Sequence, residues 1–404
     1  MSSSNRKLTW SWIILIVFFL SLVCLTGVTT AAEPIAATTD SASLPTEETG
    51  KLNLVCNDYA LFIAGISNPQ GSLAAEEKKP GWVRYAKFID QRWGQFEKSR
   101  LERMREWGAK ELNTAAAAAP TVFYPFSGPD FINIDTFFPQ AKTYIMIALE
   151  PVGEIPDFAS LEENTFFTCL QRSIYELLHL DFFITENMKG ILKTKELKGV
   201  LPVIMFFMAR EKARILDINY WVMKPDGAIE EAPAIKRERI KSEGIAGVRI
   251  VFEKAGSQEK QTLYYISYNL RNDCFGKNEH FVAFLKSFGP MTTFEKAASY
   301  LMHKPGFSGI KQFILDQSHS VLQTDSGIPV QYFDPSSWNL RFYGKYTRPI
   351  QLFDSRFQSE LARIYREVGA VQPLPFGIGY RHRLNTSNLM LALKKEKVLS
   401  TDVK

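Results

Sequence analysis

Thr121-Val-Phe-Tyr-Pro-Phe-Ser-Gly-Pro-Asp130 and Thr143-Tyr-Ile-Met-Ile-Ala-Leu-Glu-Pro151 are the two phrases on which the fold turns. The first opens with a short β-leaning apolar run. Ser127-Gly128-Pro129-Asp130 is a turn able to start a helix, with Pro suited to the first turn and Asp to the N-terminus. Phe131 to Phe138 is short and apolar, and Pro139 stops it. Thr143 to Leu149 then reads as a second buried strand ending at Glu150-Pro151. Strand, turn, helix and strand make a crossover unit, and such continuously apolar strands suit a parallel sheet covered on both faces.

Working outward, Trp82, Tyr85, Ile89, Trp93, Phe96, Arg100, Met104 and Trp107 recur at three- and four-residue steps, the buried stripe of a long helix after Pro80. Downstream, Leu161 to Leu180 places Phe166, Leu170, Ile174 and Leu177 on one helical face, where His179 reads as a packed histidine. Val200 to Met208 is an apolar run with Pro202 in its first turn, and Ile215 to Met223 reads as a strand. Gly247–Glu253 and Thr262–Leu270 read as strands around a polar turn. Phe307, Ile310, Phe313 and Ile314 suggest a helix, followed by a strand near Val321-Leu322-Gln323. Trp338, Leu340, Phe342 and Tyr346 alternate with polar residues. The expected fold is α/β: a Rossmann-like, mostly parallel sheet with helices on both faces and antiparallel additions toward the C-terminus.

The chain has 404 residues, 46% hydrophobic and 23% charged, with 48 Lys+Arg against 43 Asp+Glu. Those fractions exclude whole-chain disorder and a polytopic membrane protein. A formal charge of +5, spread along the chain, argues against a nucleic-acid partner. At the front, Arg6 and Lys7 precede an uncharged stretch from Leu8 to Ala32, and Thr30-Ala31-Ala32 offers small residues for cleavage. The alternative is a retained anchor. The apolar run Trp12–Val28 spans roughly 26 Å at about 1.5 Å per residue, near a bilayer core of about 30 Å. Either way the remainder is expected outside the cytoplasm: periplasmic, secreted, or held at the inner membrane by residues 8–32. Residues 33–52 read as a flexible linker. Residues 53–404 form the exported body, divisible into a helical lead-in over 53–120 and a main sheet domain over 121–404. Cys56, Cys169 and Cys274 allow one bridge in three pairings or three unbridged thiols.

Open α/β sheets bind ligands outside the carboxyl ends of their strands, so Ser127, Gly128, Asp130 and Glu150 are the first candidates. Ser127 and Gly128 are read as ligand-binding, Asp130 and Glu150 as catalytic acids. The local charge from Asp130 and Asp135, with no Lys or Arg from Thr121 to Ala141, opposes a phosphate. Asp130 has a plainer role as a helix cap. A second cluster comprises Lys296, Ser299, Tyr300 and His303, with Asp325-Ser-Gly-Ile-Pro329 further on. If residues 296–303 are helical, Lys296, Ser299 and Tyr300 share a face with His303 one turn on, and Lys296 and Tyr300 are read as ligand-binding. His303 and Asp325 are residue types suited to proton transfer. No HxxxH or HxH spacing occurs, so neither a metal nor a cofactor is expected. Trp338, Arg341, Tyr343, Lys345, Tyr346 and Arg348 interleave aromatic and basic residues, either a face for sugars or an acidic polymer or simple alternation on a half-exposed strand.

The phrases Tyr124-Pro-Phe-Ser-Gly-Pro-Asp130 with Leu149-Glu-Pro-Val-Gly153, and Ala298-Ser-Tyr-Leu-Met-His303 with Ser326-Gly-Ile-Pro329, resemble ones found in uncharacterised exported bacterial proteins. Gly128 followed 22 residues later by Glu150 also resembles, faintly, the nucleoside-binding half of Rossmann-like methyltransferases, with one Gly where those folds use two or three. Two functions follow as expectations. One is a non-enzymatic ligand-binding or envelope-associated protein, with a small molecule, an envelope polymer or, if uncleaved, the membrane as partner. The other is an extracytoplasmic hydrolase or transferase using Asp130/Glu150 or His303/Asp325.

Overall fold

The two apolar phrases form β1 (Thr121–Pro125) and β2 (Thr143–Ala148), which lie side by side and run in the same direction. Phe123 pairs with Ile145, and α4 (Phe131–Phe137) makes the crossover. The computed structural model describes residues 46–113, 119–158, 163–182, 197–234, 244–367 and 369–395. The expected signal or anchor, residues 1–32, lies outside them. A helix, α1, spans Thr46–Ile63 and so begins within the stretch expected to be a linker.

The described strands form one eleven-stranded sheet in the order β10-β9-β11-β8-β7-β1-β2-β6-β5-β3-β4. Its centre is β6 (Lys260–Ser267), β2, β1, β7 (Met291–Glu295) and β8 (Ser318–Gln323), all parallel. Beyond β8, β11 (Asn388–Lys394) runs antiparallel, wedged against β9 (Trp338–Gly344), and the two-residue β10 (Val371–Gln372) closes that side. Beyond β6 come β5 (Ile245–Lys254), β3 (Ala213–Met223) and β4 (Ile229–Pro233), each antiparallel to its neighbour. Antiparallel strands are thus not confined to the C-terminal part. Five of the ten pairings are parallel, so the sheet is evenly mixed rather than mostly parallel. The reason is local: turns of a few residues join β3 to β4 and β5 to β6, and short connections return a strand antiparallel.

Alternation along the central strands separates two cores. Val122, Tyr124, Tyr144 and Met146 join one, Phe123, Ile145 and Ile147 the other. The first core is covered by α1, α2 (Pro80–Phe96), α3 (Glu102–Glu111), α4, α5 (Glu163–Leu180) and α6 (Leu201–Arg210). The second is covered by α7 (Glu279–Ser287), α8 (Ser308–Gln317) and α9 (Ser359–Ile364). Helices therefore lie on both faces. The aromatic stripe after Pro80 is buried as its spacing requires, although a π-helical turn, Glu97–Leu101, interrupts it. In α6 every position from Leu201 to Ala209 is buried, as expected of a helix apolar all round. One close approach locks the chain leaving β2. Gly153 and Gly199 both have positive φ, and a Cβ on Gly199 would lie 2.4 Å from Gly153 Cα.

Candidate functional site: a buried ion network and a strained strand edge

The connection from β1 leaves on one side toward β2, while β7 joins β1 on the other. The carboxyl ends of β1 and β7 are therefore where chain directions diverge, the place where open α/β sheets make a crevice. Asp130 stands just beyond β1 and Lys296 just beyond β7. Both are almost fully buried, at 1% and 2% exposure.

Lys296 Nζ sits 3.0 Å from Asp130 Oδ2 and 3.4 Å from Asp181 Oδ1, and also donates to the Asp181 carbonyl. Asn133 Nδ2 bridges the same two carboxylates, at 2.8 Å to Asp130 and 3.4 Å to Asp181. Tyr124 OH donates to Asp130 Oδ2 at 2.9 Å. Asp181 takes the Gly379 N–H at 2.6 Å and lies 3.1 Å from Arg100 Nη1. Two acids thus face two bases. Burial pushes the Asp130 carboxyl upward, while the Lys296 ammonium pulls it back. Asp130 occupies the N-cap position of α4 but makes no side-chain cap bond there, which corrects its expected capping role. Its carboxylate is spent on the network.

The other residues expected at this edge are placed as follows. Ser127 is buried, its Oγ donating to the Gly128 carbonyl at 2.8 Å and its N–H to Ile147 O at 3.0 Å. Gly128 has a φ of 55°, which closes the turn. Glu150 follows β2 and is buried, with its carbonyl accepting from Tyr265 OH at 2.9 Å. The second carboxylate sharing Lys296 and Asn133 with Asp130 is Asp181, not Glu150.

Lys296 to Tyr300 is not a helix. Ala297, Ser299 and Tyr300 all have left-handed φ, at 49°, 49° and 52°, a conformation costly for residues with a Cβ. Hydrogen bonds from the C-terminal part of the chain hold the loop. Tyr380 OH donates to the Ala297 carbonyl at 2.8 Å and accepts from the Ser299 N–H at 3.1 Å, while Ser326 Oγ accepts from Ala298 N at 3.0 Å. The outcome is that Lys296 points into the ion network while Tyr300 OH donates to Asp325 Oδ2. Asn388 Nδ2 takes the other Asp325 oxygen at 2.9 Å.

His303, in the 3₁₀ turn Leu301–His303, packs edge-on against Tyr300 with ring centres 5.1 Å apart. Its Nε2 is buried without a hydrogen-bond partner. Burial, reinforced by Arg356, lowers its pKa to about 4. Asp325 is thus linked to His303 through the Tyr300 ring, and its carboxylate bonds to Tyr300 and Asn388. Beneath the loop, Glu295 ends β7 fully buried, with neither carboxyl oxygen hydrogen-bonded. Burial raises its pKa to about 8.

Of the interleaved stretch, Trp338, Tyr343 and Tyr346 are buried, and Tyr343 OH donates to Glu111 at 2.8 Å. Arg341, Lys345 and Arg348 are exposed. Alternation accounts for Trp338 and Phe342, which join the second core, whereas Tyr343, on the opposite face of the strand, is buried in the first. His179 is exposed and stacks on Tyr175 with ring centres 5.1 Å apart, which corrects its expected packed position. Cys56, Cys169 and Cys274 are free thiols. No group of three or more metal-ligating side chains occurs among the described residues.

Sequence reasoning missed Asp181, Asn133, Glu295 and Arg100 as site residues. Asp181 lies 48 residues from Asn133 and 198 from Gly379, so no local spacing marks the network. One signal was available: Arg100 is the single charge on the otherwise apolar stripe from Trp82 to Trp107. No family model, no curated protein and no solved structure matches this chain.

Proposed function

We propose that the protein is an exported, extracytoplasmic α/β protein that works by binding rather than catalysis. In this reading the sheet is Rossmann-like. Its parallel centre, β6-β2-β1-β7-β8, numbered along the chain, has the doubly wound order 3-2-1-4-5. The antiparallel strands are additions on both flanks. The carrying observation is the Lys296 ammonium seated between Asp130 and Asp181. It occupies the switch point of such a sheet, and it pairs with Asp130, one of the two acids a hydrolase or transferase would use there. Export rests on the charge and apolar pattern of residues 1–32.

The test is a panel of chromogenic esters, phosphoesters and glycosides, run beside a thermal-shift screen of nucleosides, sugars and peptides. Stabilisation by a ligand without turnover supports the reading. Turnover abolished by Asp130→Asn or Glu150→Gln would refute it. For export, a reporter fused after residue 52 should be extracytoplasmic, and a cytoplasmic reporter contradicts that part.

A second reading, an extracytoplasmic hydrolase or transferase, is favoured by the strained loop Ala297–Tyr300 with His303 and Glu295 beside it. Backbone strain and buried, shifted titratable groups concentrate at functional sites. Its signature would be turnover lost in His303→Gln with the melting temperature preserved.

A further inference from the structure

Between β9 and α9 the chain crosses the surface in a 3₁₀ turn, Gln351–Arg356, that buries none of its residues. Leu352 is 56% exposed and Phe357, directly after the turn, 49%. Exposed apolar groups rimmed by charge mark interaction surfaces. The segment is also held in place. Phe353, half-buried, packs on the rings of Tyr300 and Tyr380, with centres 4.9 and 5.2 Å away. Arg381 donates to the carbonyls of Arg348 and Pro349 at 3.0 and 2.8 Å, and the Gln358 N–H donates to Tyr346 OH at 3.1 Å. With both ends tied and Phe353 turned inward, Leu352 and Phe357 are kept outward.

Cations surround these two side chains. Arg348 and Arg356 flank the turn, and Arg381 is bonded to its start. Lys304, on the loop after β7, joins them: burial, and then the Arg356 and Arg271 guanidiniums, lower its pKa. Among the described residues neither Lys304 nor Arg356 has an ion pair. Asp354, 3.5 Å from Arg348, is the only acid from Arg348 to Phe357. Like charges gathered without counter-charges repel one another, and an anionic surface relieves that repulsion.

From this arrangement we infer that the protein docks on an anionic bilayer through this segment, Leu352 and Phe357 entering the headgroup layer and Arg348, Arg356, Arg381 and Lys304 meeting lipid phosphates. Size decides between a bilayer and a protein partner. A stable protein interface takes about 800 Å² on each side, far more than two apolar side chains offer, whereas a headgroup layer accepts isolated apolar groups within a basic rim. This contact is independent of the function proposed above and of the N-terminal apolar run.

The test is hydrogen–deuterium exchange of the full-length protein with vesicles of equal parts phosphatidylglycerol and phosphatidylcholine, or of phosphatidylcholine alone. The readout is local, so vesicle binding through Trp12–Val28 does not produce it. Amides of residues 350–358 should exchange at least fivefold more slowly on the anionic vesicles, stay unchanged on the neutral ones, and lose the protection in high salt. Each Arg at an anionic surface contributes about fivefold in affinity, so Arg348→Gln/Arg356→Gln should need at least tenfold more lipid for the same protection. Leu352→Ser/Phe357→Ser should abolish it, with melting temperatures unchanged because both side chains are exposed. Ile229→Ser, exposed on β4 at the far edge of the sheet, should leave it intact. Equal protection on neutral vesicles, protection on neither, or protection unchanged in both double variants would overturn the inference.

Discussion

Replacing Glu295 with Gln should make the protein more stable at neutral and alkaline pH, and the gain should grow as pH rises to about 8 and then level off. Glu295 has no exposed surface, and neither carboxyl oxygen finds a donor. The nearby Ile328 N–H, which would stabilise its charge, is spent on Gln323 Oε1 at 2.9 Å. Gly327 folds over the carboxyl so closely that a Cβ there would lie 2.8 Å from Oε2. The folded state therefore holds the proton until about pH 8, whereas the unfolded chain releases it near 4.5. Between those values the native state binds one proton more than the unfolded state, so stability falls as pH rises, by about 1.4 kcal/mol per pH unit. Across the window the ceiling is roughly 5 kcal/mol. Gln has the same shape and no charge, so it escapes this loss. Urea unfolding followed by tryptophan fluorescence at pH 4.5, 6 and 8 reads the difference directly, with other titrating groups common to both proteins. Near-equal midpoints at pH 4.5 and a widening gap in favour of E295Q are expected. A gap that stays constant, or E295Q being the weaker protein at pH 8, refutes the burial of an uncompensated acid.

Lys296→Met should cost about 3–5 kcal/mol in urea unfolding by stranding Asp130 and Asp181 without their shared cation. The double variant Lys296→Met/Asp130→Asn should recover a large part of that loss, and additive losses would argue against a coupled network. His303 has a folded pKa of about 4 against an ordinary 6.5, so its stabilising effect is complete above pH 6.5 and drains away as pH falls toward 4. Melting scans from pH 7 to 4.5 should show a shallower acid-side decline in His303→Gln than in the parent. Gly199→Ala should be severely destabilising, because its Cβ meets Gly153 at positive φ. Gly256→Ala, also at positive φ but with nothing within 4 Å, should cost only about 1–2 kcal/mol, and equal effects at the two glycines would contradict the close approach.

The parallel β1–β2 unit was legible because its signals are local: continuous apolar runs, a Ser-Gly-Pro-Asp turn and Pro139 as a stop. The helix stripe from Trp82 and the buried face of α5 were legible for the same reason, since a period near 3.6 is written in neighbouring residues. The loop after β7 was not. Lys296, Ser299 and Tyr300 have helical spacing, yet Tyr380 and Ser326, far along the chain, hold that segment in left-handed turns. Asp130 was picked out by its place after a strand, but its role changed once Lys296 and Asp181 came alongside.

From the sequence alone came the α/β class and the residues gathered at the strand ends, because these depend on composition and on periodicities a few residues long. Only the tertiary structure decided that the sheet is evenly mixed, that Asp130 is neutralised within a four-charge network, and that Glu295 is left without a partner. Burial and charge pairing depend on which distant segments meet, and no short-range pattern encodes those meetings.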